Sequence, residues 1–417
     1  MDQRIPRLLG PNNVGRRLVD LLGPTGDAAR QSLVALAFNS ATSLIAGAML
    51  GAMVGTFEDL PGLLIMVPAA IGLRGNIFGT FGNRISTSVH TGTFVAKIRP
   101  ETVLGQNVIA SMALTLMMSV GLAFVARLAA VAFGVENAIN VLELTIVSVV
   151  GGVLASAVVL AASVALSVVA VRRDWDLDNL VAPTVSTLGD VVTIPALVLA
   201  TVLVSGGRWV EPLGLALLGL SAVVTVAALR THIGEIRRIV AESVPVLSAA
   251  LLLSTMAGLV AEKRLTLLAA VPALLVLMPA FVSSAGSLGG ILSSRVSTNL
   301  HLGLADATMR PGREVRRDAL LVLLIGLPIY VFNAIGAQAL ATLLGQRSPG
   351  MVAMLFTSMV GGLFTVLFVI ALAYYGTVAA WRVNLDPDTV GLPLVTASVD
   401  FVGVAILVTV VVGFGIA

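Results

Sequence analysis

The stretch "PAAIGLRGNIFGTFGNRISTSVHTG", residues 68–92, lies over "PAFVSSAGSLGGILSSRVSTNLHLG", residues 279–303, when the chain is shifted by 211 positions. Pro68/Pro279, Gly75/Gly286, Gly79/Gly290, Arg84/Arg295, Ser86/Ser297, Thr87/Thr298, His90/His301 and Gly92/Gly303 coincide. A second pair, shifted by 210, sets "DLDNLVAPTVSTLGD" (176–190) on "DPDTVGLPLVTASVD" (386–400) and matches Asp176/Asp386, Asp178/Asp388, Pro183/Pro393 and Asp190/Asp400. The chain is therefore a duplication, and whatever one half builds the other builds again.

Only 11% of the 417 residues are charged and 57% are hydrophobic, against about 25% charged in a typical soluble chain. Apolar runs of roughly 20 residues, enough to cross the hydrocarbon core of a bilayer as a helix, recur along almost the whole length. They predict eleven spans at 32–56, 61–90, 103–132, 142–171, 181–205, 210–230, 244–261, 266–302, 317–344, 350–381 and 391–416. The leader before Ser32 carries arginines and no small-residue cleavage site, so a removable signal peptide is not expected. With no cysteine there is no disulfide, thiolate metal site or cysteine nucleophile, and any metal must meet oxygen or imidazole.

The basic residues sit in short loops without interleaved aromatics, which argues against nucleic acid as a partner. With the N-terminus in the cytoplasm, Arg4, Arg7, Arg16, Arg17, Lys97, Arg99, Arg172, Arg173, Arg230, Arg237, Arg238, Arg310, Arg313, Arg316, Arg317 and Arg382 share one side. The opposite loops keep only Arg208, Lys263, Arg264 and Arg347. By the positive-inside rule this predicts a multi-pass cell-membrane protein with a cytoplasmic N-terminus and an extracytoplasmic C-terminus.

The predicted fold is all-α and polytopic. A cytoplasmic segment 1–31 precedes a five-helix repeat at 32–205, a linking helix and cytoplasmic loop at 206–243, and a second five-helix repeat at 244–417. One linking span makes both repeats enter the membrane from the same face, so they are parallel, related by a pseudo-two-fold axis along the membrane normal. Equivalent residues then face each other across a central path.

Asp190 and Asp400 stand out on this geometry. Each falls about ten residues into a span, where an ionised carboxylate costs some kilocalories per mole unless solvated or paired. A salt bridge to Arg84 or Arg295, or a neutral carboxyl, is the structural alternative. Two facing carboxylates suit a hard divalent cation, and Mg²⁺ in particular is held by one or two carboxylates while keeping several waters. Gly72, Gly75, Gly79 and Gly82 follow helical spacing and on their own read as a packing face. Pro68 and Asn76 among them point to an interrupted span lining a transport site, with the Gly75 backbone and the Asn76 amide as oxygen donors. Arg84 and Arg295 read as anchors that snorkel or pair with Asp176, Asp178, Asp386 or Asp388. His90 and His301 read as interfacial caps, and Pro183 and Pro393 as helix starts. Arg74 and Arg127 have no counterpart in the other repeat.

The two duplicated motifs resemble the MgtE-type magnesium channels and transporters, including the duplicated solute carrier family 41, over residues 32–417. The resemblance implies a pore lined by the second and fifth helices of each unit, with the aspartate that ends the "LGD"-like motif at the central Mg²⁺ site. That carries over to Asp190 and Asp400, with Asn76 as a pore-lining oxygen. Ser287 stands where the first repeat has Asn76, and "SVD" replaces "LGD" before Asp400, so an asymmetric path is expected. Bacterial members carry a cytoplasmic region with CBS domains before the membrane part, and gating by such a region is not expected within this chain.

The expected metal-contacting set is thus Asp190, Asp400, Asn76 and Ser287, with Gly75, Gly286, Ser186, Thr187 and Thr396 lining the pore. The expected function is transport of Mg²⁺ or another divalent cation across the lipid bilayer by a single-chain pseudo-dimer, channel-like or coupled to Na⁺ or H⁺, with no catalytic residue, no bound cofactor and no enzyme activity. The competing expectation is an intramembrane aspartyl protease built on Asp190 and Asp400. Its Gly-x-Gly-Asp signature is broken here by Thr187 in Thr187-Leu188-Gly189-Asp190.

Overall fold

The computed structural model describes residues 25–172, 177–301, 303, 306–382 and 392–416, and within these not the side chains of 25–31, 90, 172, 177–186, 205–206 and 392–393. In chain order the helices are α1 (Thr25–Ala52), α2 (Val54–Asp59), α3 (Leu63–His90), α4 (Val103–Ala132), α5 (Val141–Arg172), α6 (Leu177–Thr201), α7 (Val210–Arg230), α8 (Gly234–Glu262), α9 (Leu265–Ala270), α10 (Ala273–His301), α11 (Arg313–Leu343), α12 (Met351–Arg382) and α13 (Leu392–Gly413). A short 3₁₀ segment, Val204–Trp209, leads into α7. Eleven are long, matching the eleven predicted spans. Ten of them are long and apolar enough to cross a membrane, and the described part of α6 contributes a shorter apolar stretch, Thr187–Thr201. The protein is an all-α, multi-pass membrane protein.

Local signals set the helix ends. Thr102 caps α4 by accepting from the Gly105 amide. Asn140 and Glu143 cap α5 reciprocally: Asn140 Oδ1 accepts from the amides of Leu142 and Glu143, and Glu143 Oε2 accepts from the Asn140 amide. Glycines in the left-handed region follow α3 and α10 at equivalent positions, Gly92 at φ 71° and Gly303 at φ 67°, where a β-carbon would be strained.

Two expectations change. The run 266–302 is not one helix but α9 and α10, and its first-half counterpart is α2 followed by α3. The two short helices were hidden because α9 continues the hydropathy of the span that follows, whereas the start of α2 continues that of the span before it. The helices through Pro68 and Pro279 are also not interrupted. Both prolines lie within the first two turns of α3 and α10, and helix continues on either side of them. Each proline lies past the first turn and removes one amide donor from its helix, yet the helix runs on. The Gly75 carbonyl therefore stays inside a regular helix rather than in an unwound segment.

The halves interlock. α1 packs on α10, and its equivalent α8 packs on α3, so the first long helix of each half lies against the second long helix of the other. A glycine makes each contact. A β-carbon at Gly47 would collide with the Val276 carbonyl oxygen, and one at Gly258 with that of Ile65. The residues of these two contacts are related by the same shift of 211, which a two-fold relation between the halves requires. At one rim the Glu262 carboxylate, at the end of α8, accepts from the Gly62 amide at 2.7 Å and caps α3 from across this contact. α3 and α10 are the most enclosed spans, 61% and 72% buried. They form the centre around which α6, α13, α1 and α8 gather.

Candidate functional site

Along α3 a broad band of residues stays accessible, with Ile71, Gly75, Thr80 and Arg84 at its edge. Pro68, Gly72, Asn76, Gly79, Asn83 and Thr87 keep accessible surface, while Leu73, Ile77, Phe78, Phe81 and Ile85 between them are buried. In α10 the residues 211 positions on do the same: Pro279, Ser283, Ser287, Gly290, Ser294 and Thr298. The steps of four, four, three, four and four hold one helical face. Since both helices are central, a stripe of small and polar residues that stays accessible marks space inside the bundle. At Gly79 no atom lies within 4 Å of the position a β-carbon would take.

Asp190 on α6 and Asp400 on α13 border this space, and both stay partly accessible. Each is held by a serine from the first long helix of its own half. Ser43 Oγ donates to Asp190 Oδ2 at 3.3 Å, and Ser254 Oγ donates to Asp400 Oδ2 at 2.7 Å. Both serines are buried, at 0% and 3% exposure. Gly72 of the accessible stripe faces Asp400: a β-carbon there would stand 3.6 Å from Asp400 Oδ2 and from Ser254 Oγ. The two aspartates lie within coulombic range of each other. Among the described residues neither has an arginine or lysine at ion-pair distance, and no group of three or more His, Asp or Glu forms. A proton, water or a cation supplies whatever further stabilisation two such carboxylates need.

The arginines have other partners. Arg84 Nε donates to Asn107 Oδ1 at 2.8 Å, and Arg295 Nη1 meets Asp318 Oδ1 at 2.8 Å. These are equivalent pairs between α3 and α4 and between α10 and α11. Asp176, Asp386 and Asp388, and the side chain of Asp178, lie outside the described residues. So do the side chains of His90, Pro183 and Pro393. His301 meets the Ser297 carbonyl oxygen through Nδ1 at 2.9 Å, and its ring stacks edge-on against Trp381. Arg74 is buried between α3, α4 and α5, donating to the Ala70 carbonyl and to Ser119 Oγ. A β-carbon at Gly152 would collide with its Nη2.

The expected wall residues divide into two groups. Asn76 and Ser287 lie on the accessible stripes. No protein partner for the Asn76 amide is found among the described residues, whereas Ser287 Oγ accepts from Asn39 Nδ2 at 3.2 Å. Of the expected glycines, Gly75 keeps accessible surface and Gly286 is buried. Gly189 of α6 sits against Gly75, and Gly286 is buried with a β-carbon position 3.7 Å from Thr396 Cγ2. Thr187 is buried, at 8% exposure, and Thr396 is partly buried against Gly286. The Ser186 side chain lies outside the described residues. Glycine at helical spacing also marks where another helix comes close, and the aspartate-bearing helices α6 and α13 lie against Gly75 and Gly286 respectively.

Sequence reasoning passed over Ser43, Ser254 and Asn39. The serines were readable, because the shift of 211 superposes Ser43, Ala46 and Gly47 on Ser254, Ala257 and Gly258. Asn39 carried no such signal, since its equivalent is Ala250.

No solved structure matches this chain. The curated relatives are members of one solute carrier family. The chain is 23% identical over 374 residues to solute carrier family 41 member 3 of Rattus norvegicus. It is 24% and 25% identical to member 2 of Xenopus laevis and of Gallus gallus. Each comparison covers 84% of this chain, and 79%, 65% and 64% of the respective relatives. The family model described as a divalent cation transporter matches twice, at residues 67–200 and 278–410, so that each match runs from the start of an accessible stripe past a serine-held aspartate. With both matches together covering well over half its length, the chain belongs to the MgtE family of divalent cation transporters.

Proposed function

We propose that this chain moves Mg²⁺ across the cell membrane, through a path between its halves, with a partly hydrated ion held between Asp190 and Asp400. The observation that carries this reading is the pair of serine-held aspartates within coulombic range of each other, with no basic residue at ion-pair distance among the described residues. Like charges in a medium of low dielectric repel strongly, and a divalent cation converts that repulsion into binding. Accessible surface at both aspartates leaves room for coordinated water, which Mg²⁺ surrenders reluctantly. Asn76 and Ser287 add neutral oxygens along the stripes.

In this reading the repeats 32–205 and 244–417, joined by 206–243, act as one pseudo-dimer in a single chain. The N-terminus is cytoplasmic and the C-terminus extracytoplasmic, and neither catalysis nor nucleic-acid binding enters. An aspartyl protease finds no support, because the match is to transporters and the dyad needs no duplicated path.

The test is Mg²⁺ uptake by proteoliposomes. Asp190→Asn with Asp400→Asn should lower uptake at least about tenfold, equivalent to ~1.4 kcal/mol of lost ion stabilisation. Unchanged uptake would overturn the proposal. Sodium and proton gradients, each imposed without a Mg²⁺ gradient, separate the modes: uptake driven by either means coupled exchange, and uptake driven by neither means conduction.

A further inference from the structure

The two half-sites differ in where they carry an amide. Beside Asp400, the contact between α3 and α8 has Asn76 on α3 and Ala250 on α8. Beside Asp190, the equivalent contact between α10 and α1 has Ser287 on α10 and Asn39 on α1. Asn39 and Ser43 are one helical turn apart and share a face of α1, so the helix that holds Asp190 through Ser43 also presents Asn39. Its Nδ2 donates to Ser283 Oγ at 2.9 Å and to Ser287 Oγ at 3.2 Å, both on the accessible stripe of α10.

With both amide protons used, Oδ1 is the free acceptor. No donor reaches it among the described residues, and it is not a buried atom without a partner, so it faces open space. One residue along, Ser40 Oγ meets Ser284 Oγ at 2.9 Å, and Ser284 also accepts from Asn333 Nδ2 at 2.9 Å. α1 and α10 are thereby fixed in register around Asn39. The α3–α8 contact cannot repeat this, since Gly72, Leu73, Ala250 and Leu251 stand at the matching positions.

We infer that Asn39 is a cation-binding residue of the path: its Oδ1 gives the Asp190 side the amide oxygen that Asn76 gives the Asp400 side, so a divalent cation meets one amide on each flank of the aspartate pair. The inference rests on the proposed central site and extends its donor set to the first long helix. A carbonyl oxygen is a fitting neutral ligand, or a fitting acceptor for a water of a hydrated divalent ion.

Moving the amide is the test. Asn39→Ala should weaken Mg²⁺ uptake by proteoliposomes about tenfold in apparent affinity, ~1.4 kcal/mol, and change the competition between Mg²⁺ and Ca²⁺. Asn39→Ala with Ser287→Asn places the amide on α10, as Asn76 is placed on α3, and should recover most of the affinity and the wild-type competition profile. Wild-type uptake and competition by Asn39→Ala overturns the inference. So does a loss that the double variant does not recover while remaining monodisperse, because Asn39 is then only a pin between helices. The Asp190→Asn/Asp400→Asn protein, assayed alongside, separates the two proposals: if it is inactive while Asn39→Ala is normal, the central site stands and only Asn39 falls. If it transports normally, the proposed function falls on its own account.

Discussion

Ser43 and Ser254, 211 positions apart, each give a hydroxyl proton to the aspartate of their own half, Ser43 to Asp190 at 3.3 Å and Ser254 to Asp400 at 2.7 Å. A hydrogen bond to a charged group contributes about 1.5–3 kcal/mol, and the shorter one holds its carboxylate more firmly. Ser254→Ala should weaken half-maximal Mg²⁺ uptake roughly tenfold or more, and Ser43→Ala less. Titration of uptake against external Mg²⁺ checks the order, and equal effects would show that the two half-sites are held alike.

The glycines at the crossing contacts govern assembly rather than the ion. Gly47→Ala and Gly258→Ala each drive a methyl group into a carbonyl of the facing helix. The helix propensity that alanine gains, about 1 kcal/mol, is outweighed by overpacking of about 1–3 kcal/mol or more against rigid backbone. Both variants should melt earlier than wild type in detergent, by similar amounts, since the contacts are equivalent. A rise in melting temperature for either would contradict the close approach of α1 to α10 or of α8 to α3.

Gly79 behaves in the opposite way, because nothing approaches it. Gly79→Ala should keep or slightly raise the melting temperature, by the ~0.5–1 kcal/mol that alanine gains in a helix. Gly79→Leu should likewise leave the fold intact yet reduce Mg²⁺ uptake several-fold by filling the space beside the stripe. Undiminished uptake by Gly79→Leu would mean that this open space is not on the route.

Arg295 pairs with Asp318 where Arg84 uses Asn107. The first half therefore shows that an amide satisfies this arginine, and Asp318→Asn should cost less than about 1 kcal/mol. Asp318→Leu leaves a partly buried guanidinium without its acceptor and should cost about 2 kcal/mol. Chemical or thermal unfolding of the purified variants distinguishes the two, and equal losses would mean that charge, not hydrogen bonding, is what the position supplies.

The spans were legible because hydropathy alone marks a 20-residue apolar run, and the pairing of Asp190 with Asp400 was legible because duplication left both motifs recognisable. The start of α8 was misjudged by ten residues, Gly234 rather than 244, because Glu235, Arg237, Arg238 and Glu242 form a charged first stretch that hydropathy does not count. Arg238 bonds to Glu235 at 2.9 Å there, as neighbours on a helix surface do. At Gly75 and Gly286 spacing told that the helix face is smooth but not that α6 and α13 lie against it. Asn39 needed coordinates: asparagine is common, its equivalent is Ala250, and its meaning here comes from a helix of one half crossing to the other.

That crossing has a consequence for biogenesis. α1 is made early, but its seat on α10 begins at Ala273, more than two hundred residues later in the chain. At about 5–20 residues per second, α1 waits on the order of ten seconds or more in the bilayer with Asn39 and Ser40 lacking the serines they meet on α10. Its polar face is then open to whatever insertase or quality-control factor shelters incomplete membrane proteins, and although α8 can already seat on α3, the α1 contact closes only when α10 arrives.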